Sequence, residues 1–122
     1  MWQESTNVTN QPLIHDLVHS VYKVAHRDLK PDNILVDKFF RVKVIDFGIS
    51  ESFKDKEDDT SQSRLGTICY HPPEVYDPDV KTLSAYACDM WALGCILFQL
   101  VTGKLPFKGK NERGTIKQIQ AA

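Results

Sequence analysis

The sequence predicts a mainly α-helical chain that carries one small β-hairpin, an α+β arrangement, and three features of its 122 residues lead there. Apolar residues recur three and four apart between Leu13 and Tyr22. Two short β-branched stretches flank Lys38-Phe39-Phe40, and the most apolar run of the chain extends from Met90 to Val101.

The elements follow in order. After Pro12, the residues Leu13, Ile14, Leu17, Val18, Val21 and Tyr22 share one face at a helical period, so an amphipathic helix runs toward the polar stretch HRDLKPDN, His26 to Asn33. Pro31 keeps Lys30 out of helical geometry, and a loop results. NILVD and RVKVIDF read as two strands, the second alternating Val42 and Val44 with Arg41 and Lys43, and together they form the hairpin. Asp46-Phe47-Gly48 closes it with a glycine able to take positive φ. The stretch KDKEDDTSQS, Lys54 to Ser63, is charged and lacks periodicity, which marks a flexible loop. Pro72-Pro73 then forces extended backbone. A helix starting near Ser84 or Tyr86 and closed by Gly103 comes next; its apolar run is expected to be buried on nearly all sides. A further helix starts from Asn111.

Totals exclude several function classes. With 15 basic and 16 acidic residues the net charge is −1, which argues against nucleic-acid or membrane-surface binding by bulk electrostatics. Any phosphate chemistry must be local. Cys69, Cys88 and Cys95 are odd in number and lack paired metal spacing, so they read as thiols of a reducing compartment, the cytoplasm or nucleus. The polar start MWQESTNVTN is no secretory signal, which leaves the Asn7 sequon idle. The Met90–Val101 run falls short of the roughly 20 residues that cross a bilayer.

Taken singly, an Asp–Lys pair is usually a surface ion pair and Asp-Phe-Gly a plain turn. Four blocks in fixed order are another matter. HRDLKPDN, DFG at Asp46 to Gly48, GTICYHPPE from Gly66 to Glu74, and DMWALGCILFQLVTGKLPF from Asp89 to Phe107 resemble, in sequence, the C-terminal lobe of eukaryotic protein kinases of the serine/threonine type. The resemblance implies a kinase-like fold, with residues 1–122 forming part of a kinase domain that uses ATP and Mg2+ to phosphorylate serine or threonine on proteins.

Phosphoryl transfer asks a protein to position a nucleophile, hold metal ions and offset charge on the moving group. On that basis Asp28 would accept or orient the proton of an incoming hydroxyl, and Lys30 would place positive charge on the phosphoryl group. Asn33 and Asp46 supply hard oxygens suited to magnesium, and the resemblance adds Leu35 to the nucleotide site. It also makes His26 a packing residue stacked with Phe47, and Asp89 an anchor that receives backbone N–H groups of the catalytic loop. Thr67 would bond near Asp28 and Lys30. Arg27 would grip a phosphorylated loop residue, with Ser63 the first choice and Thr60 and Ser61 the alternatives.

The chain also departs from the pattern. It contains no glycine-rich loop, strand lysine or partnering helix glutamate; Lys23 and Lys43 stand in the wrong places. The expectation is therefore a fragment without the N-terminal lobe, little active alone, whose partners are that lobe and a protein substrate rather than nucleic acid or a membrane. A non-catalytic binding module is the rival reading. Glu51 sits where a basic residue is expected, Pro72 replaces an alanine, and Glu74 is expected to be exposed for want of its usual arginine, a role Arg113 cannot fill.

Overall fold

A computed structural model describes residues 23–54 and 58–122; the helix expected after Pro12 and the Asn7 sequon lie outside them. The hairpin forms as its sequence directs. Strands β2 (Ile34–Val36) and β3 (Val42–Val44) pair antiparallel, with Ile34 opposite Val44 and Val36 opposite Val42. Their turn is organised by Asp37, whose Oδ1 accepts the N–H groups of Phe39 at 2.8 Å and Arg41 at 3.0 Å. Hydrogen bonds led by the Arg41 N–H hold that carboxyl below its ordinary range. Beyond the ladder, Ile45 N–H donates to the Asn33 carbonyl at 2.9 Å. The hairpin thus ties the strand end before Asp46 to the loop end at Asn33.

Two shorter pairings clasp distant segments. Strand β1 (Val24–Ala25) sets Ala25 opposite Glu51 of β4 (Glu51–Ser52). Strand β5 (Thr60–Ser61) sets Ser61 opposite Leu83 of β6 (Leu83–Ser84). The second pair corrects the expectation of a flexible loop at Thr60–Ser61; residues 55–57 of that stretch lie outside the described residues. Local periodicity is absent there because the order comes from a partner far along the chain, a tertiary contact that no local pattern records.

The long helix α1 (Ala85–Thr102) has both ends satisfied. Ser84 is its N-cap, accepting the Ala87 N–H at 3.1 Å, and the Asp59 carboxylate accepts the Tyr86 N–H at 2.9 Å, so two otherwise orphaned donors are met. Gly103, at φ 72, closes it by donating its N–H to the Gln99 carbonyl at 2.8 Å.

Its burial differs from the expectation. Ala85, Asp89, Ala92 and Ile96 form one buried stripe, while Leu97, Leu100 and Val101 are 61%, 74% and 78% exposed. The core against α1 is small: Leu29, Ala92 and Ile96, with Ile34, Val44 and Tyr70 packed on them. Among the described residues, these short strands and turns reach one side of the helix only. The ends of α1 fall where expected, and over its 18 residues it is, by length and composition alone, long and apolar enough to cross a membrane. Within this fold its buried stripe is bonded to the His26–Asn33 loop through Asp89.

Helix α2 (Glu112–Gln120) starts where expected, with the Asn111 side chain accepting the Gly114 N–H at 2.8 Å. It buries Thr115 and Ile119 beside the 3-10 turns Ile68–Tyr70 and Pro73–Tyr76. The cap at Ser84 matters because it also fastens β5 to α1 through Asp59. Replacing Ser84 by alanine should lower the free energy of unfolding by about 1 kcal/mol, read as a lower midpoint in urea; an unchanged midpoint would refute the capping role.

Candidate active site

The catalytic-looking loop is held from beneath by one carboxylate. Asp89, 1% exposed, accepts the His26 N–H on Oδ2 at 2.8 Å and the Arg27 N–H on Oδ1 at 2.8 Å. Arg27 is left-handed at φ 70. Successive N–H groups turned to one side by such a residue form a concavity suited to an anion, and charge-assisted bonds of this kind offset the cost of burying the carboxylate.

His26 does more than pack. Its ring is fully buried; Nδ1 accepts the Asp28 N–H at 3.1 Å, so the hydrogen resides on Nε2, which donates to the Ile45 carbonyl at 2.8 Å. One imidazole therefore ties the residue before Asp46 to Asp28. Phe47 meets it edge-on at 4.7 Å and is itself 46% exposed, so the expected stacking is corrected to an edge contact by a half-covered ring. A buried imidazole must satisfy both nitrogens, and that rule was the available signal for these bonds.

Above this base three polar groups meet. The Thr67 hydroxyl donates to Asp28 Oδ1 at 2.7 Å and accepts from Lys30 Nζ at 3.2 Å, while Nζ lies 3.7 Å from Asp28 Oδ2. The Asp28 and Lys30 side chains keep 18% and 25% of their surface exposed, so both remain reachable. Pro31 opens a 3-10 turn (Pro31–Asn33) and leaves Lys30 fully extended at φ −160. That turn buries Asn33, whose Nδ2 donates to the Asp28 carbonyl at 2.8 Å. With the donor committed, the amide oxygen is the group able to meet a cation.

Thr67 reaches this point because Gly66 passes close to the loop. Gly66 has φ 125, and a Cβ there would lie 2.7 Å from the Arg27 carbonyl and 2.7 Å from His71 Nε2. His71 is fixed in turn by the Tyr76 hydroxyl at 2.8 Å and the Leu65 carbonyl at 3.2 Å, and burial holds its imidazole below the ordinary value.

Asp46, rather than Gly48, supplies the left-handed residue after the hairpin, at φ 61. Aspartate tolerates this because its short side chain bonds locally, here accepting the Gly48 N–H on Oδ1 at 3.3 Å. Its carboxylate is exposed, as is Leu35 on β2. Among the described residues no three His, Cys, Asp or Glu side chains gather into a metal cage. Asn33 and Asp46 carry hard oxygens of the kind magnesium takes, and the Ile45 N–H bond to the Asn33 carbonyl at 2.9 Å sets their two segments side by side.

Arg27 points away from this centre. Its Nη1 donates to Glu51 Oε2 at 2.9 Å, and the same oxygen accepts the Ser61 hydroxyl at 2.7 Å. Ser63 donates its N–H to Ser61 Oγ at 3.2 Å and is half-buried, whereas Thr60 is exposed on β5. Glu74 is half-buried, not exposed as expected. The Arg64 guanidinium gathers the Glu74 and Val75 carbonyls, at 3.4 Å and 2.7 Å, and draws that turn inward.

Known proteins resemble this chain over most of its length. The model of the protein kinase domain matches residues 14–122. Serine/threonine-protein kinase PDK1 of Cryptococcus neoformans var. grubii is 42% identical over 109 residues, covering 85% of this chain and 8% of that protein. Serine/threonine-protein kinase PKH1 of Saccharomyces cerevisiae is 39% identical, covering 87% of this chain and 15% of that protein. Human ribosomal protein S6 kinase alpha-2 is 41% identical over 107 residues, covering 88% and 14%. The chain thus spans a small part of the length of these relatives.

Gly66 offers a direct check on how Thr67 is delivered. Gly66→Ala should destabilise the chain by about 1–3 kcal/mol, through both the clash and the left-handed backbone. Urea unfolding measures it, and a loss within about 0.5 kcal/mol of zero would show that the segment approaches the loop differently.

Proposed function

The chain belongs to the protein kinase family, serine/threonine type, and on that premise we propose that its residues form the catalytic-loop half, the C-terminal lobe, of an enzyme that transfers the γ-phosphoryl group of ATP to serine or threonine hydroxyls of proteins. The observation that carries the reading is the Thr67 hydroxyl bridging Asp28 and Lys30 at 2.7 Å and 3.2 Å, which joins two sequence blocks at one polar centre.

In this reading Asp28 Oδ2, the carboxylate oxygen that Thr67 leaves free, orients the substrate hydroxyl and takes up its proton as the oxygen attacks. Lys30 offsets the charge on the transferring group at short range, where a fixed ammonium acts in partly excluded solvent. Asn33 and Asp46 would hold magnesium, and Leu35 would line the nucleotide site. Bound ATP and magnesium supply the phosphoryl group and the charge that neutralises it. His26 and Asp89 are positioning residues: neither faces substrate, and both keep the acid aimed.

Unpaired Cys69, Cys88 and Cys95 support a reducing location, the cytoplasm or nucleus. Burial raises the Cys88 and Cys95 thiols to about 11, which suits inert structural residues. A non-catalytic lobe that docks a partner is the second reading, favoured by the exposed hairpin residues Val36, Phe39 and Phe40.

Phosphoryl transfer separates the two. The 122-residue chain alone should transfer nothing to a serine/threonine peptide library, because it holds no glycine-rich phosphate cover. Joined to a lobe carrying that loop and the strand lysine it should transfer, and Asp28→Asn should lower kcat by about 10²-fold or more. A joined chain that binds magnesium-nucleotide without transfer would favour the docking module, and a kcat that survives Asp28→Asn would remove Asp28 from the proton-accepting role.

A further inference from the structure

We propose that Glu51 is a built-in anion for Arg27, a positioning residue that orders residues 58–63 and steadies the catalytic loop with no phosphoryl group on Thr60, Ser61 or Ser63. Its consequence for regulation rests on the kinase reading above; the contact itself does not.

The Arg27 side chain is only 10% exposed, so its charge needs a partner inside the fold. Glu51 Oε2 provides one at 2.9 Å. Backbone register delivers that carboxylate: Glu51 lies opposite Ala25, just before His26 and Arg27, in the β1–β4 pair. The same oxygen then accepts the Ser61 hydroxyl at 2.7 Å, and Ser61 is held opposite Leu83 in the β5–β6 pair. Ser63 N–H extends the chain of bonds to Ser61 Oγ at 3.2 Å. One carboxylate thus links the catalytic loop, the segment after Gly48 and the loop before Gly66.

Charge decides between this carboxylate and a phosphoryl group. Arg27 and Glu51 already cancel; a phosphoryl group on Ser61 would add about −1.5 to −2 beside the Glu51 oxygen and repel it. Ser61 is moreover 4% exposed. Arg27 Nη2 is buried and has no partner among the described residues, so the guanidinium retains capacity for an oxyanion once Glu51 is removed.

That capacity gives the test. In the 122-residue chain, Glu51→Ala should lower the thermal midpoint and speed amide exchange over residues 58–63 by at least roughly tenfold. Inorganic phosphate should restore both saturably. Wild type should show no phosphate response beyond that of an ionic-strength control, and adding Arg27→Met to Glu51→Ala should abolish the rescue. Should Glu51→Ala fail to fold, Glu51→Gln, of equal size without charge, carries the exchange measurement. Equal phosphate responses in wild type and Glu51→Ala, rescue that survives Arg27→Met, or unchanged exchange in Glu51→Gln would overturn the proposal. None of these readouts uses phosphoryl transfer, so a lobe-joined chain that failed to transfer phosphate would sink the kinase reading and leave this one standing.

Discussion

The Asp89 carboxylate is the constraint on which the rest of the site depends. It rises from the buried stripe of α1 and takes the N–H groups of His26 and Arg27, both at 2.8 Å. Removing a buried acceptor leaves its donors unsatisfied, which costs more than the net worth of the bonds. From those two peptide groups everything else is placed in order: the imidazole that ties Asp28 to Ile45, the extended Lys30, the turn that buries Asn33, and the guanidinium that meets Glu51. A chain of net charge −1 can in this way bring charged side chains together at one point without an overall basic balance.

Two levels of organisation cooperate. The hairpin and α1 are local products of sequence, set by alternation, an N-cap and a left-handed glycine. The two-residue strand pairs are not stable alone; they form because distant segments are brought alongside. Glu51 and Asp59 sit in or beside such pairs, and each carboxylate joins segments far apart in the chain. Left-handed Arg27 and Asp46 lie next to the proposed chemistry, and backbone of this kind costs about 1–2 kcal/mol per residue. The surrounding bonds over-determine it, as functional loops often require.

How far the sequence could be read follows the same division. Alternating Val42 and Val44 disclosed the hairpin, and Ser84 and Gly103 the ends of α1, because each signal is local. The family pattern named the residues that gather around Thr67. It could not foresee β5, whose order depends on Leu83 and Ser84, nor the exposed face of α1, since periodicity cannot tell which sides neighbours will cover. The pattern assigns His26 to packing, since residue types carry no record of where two ring nitrogens point. Glu51 was visible as a departure, yet its partner appeared only once register set it opposite Ala25.

The most direct test of the anchoring claim is amide hydrogen exchange at His26 and Arg27 in the wild-type chain and in Asp89→Asn. The asparagine amide keeps one acceptor and turns a donor toward the other N–H. Exchange at these two amides should accelerate by about a hundredfold while amides in the middle of α1 keep their protection. Unchanged protection of His26 and Arg27 in the variant would show that the loop is held by something other than Asp89.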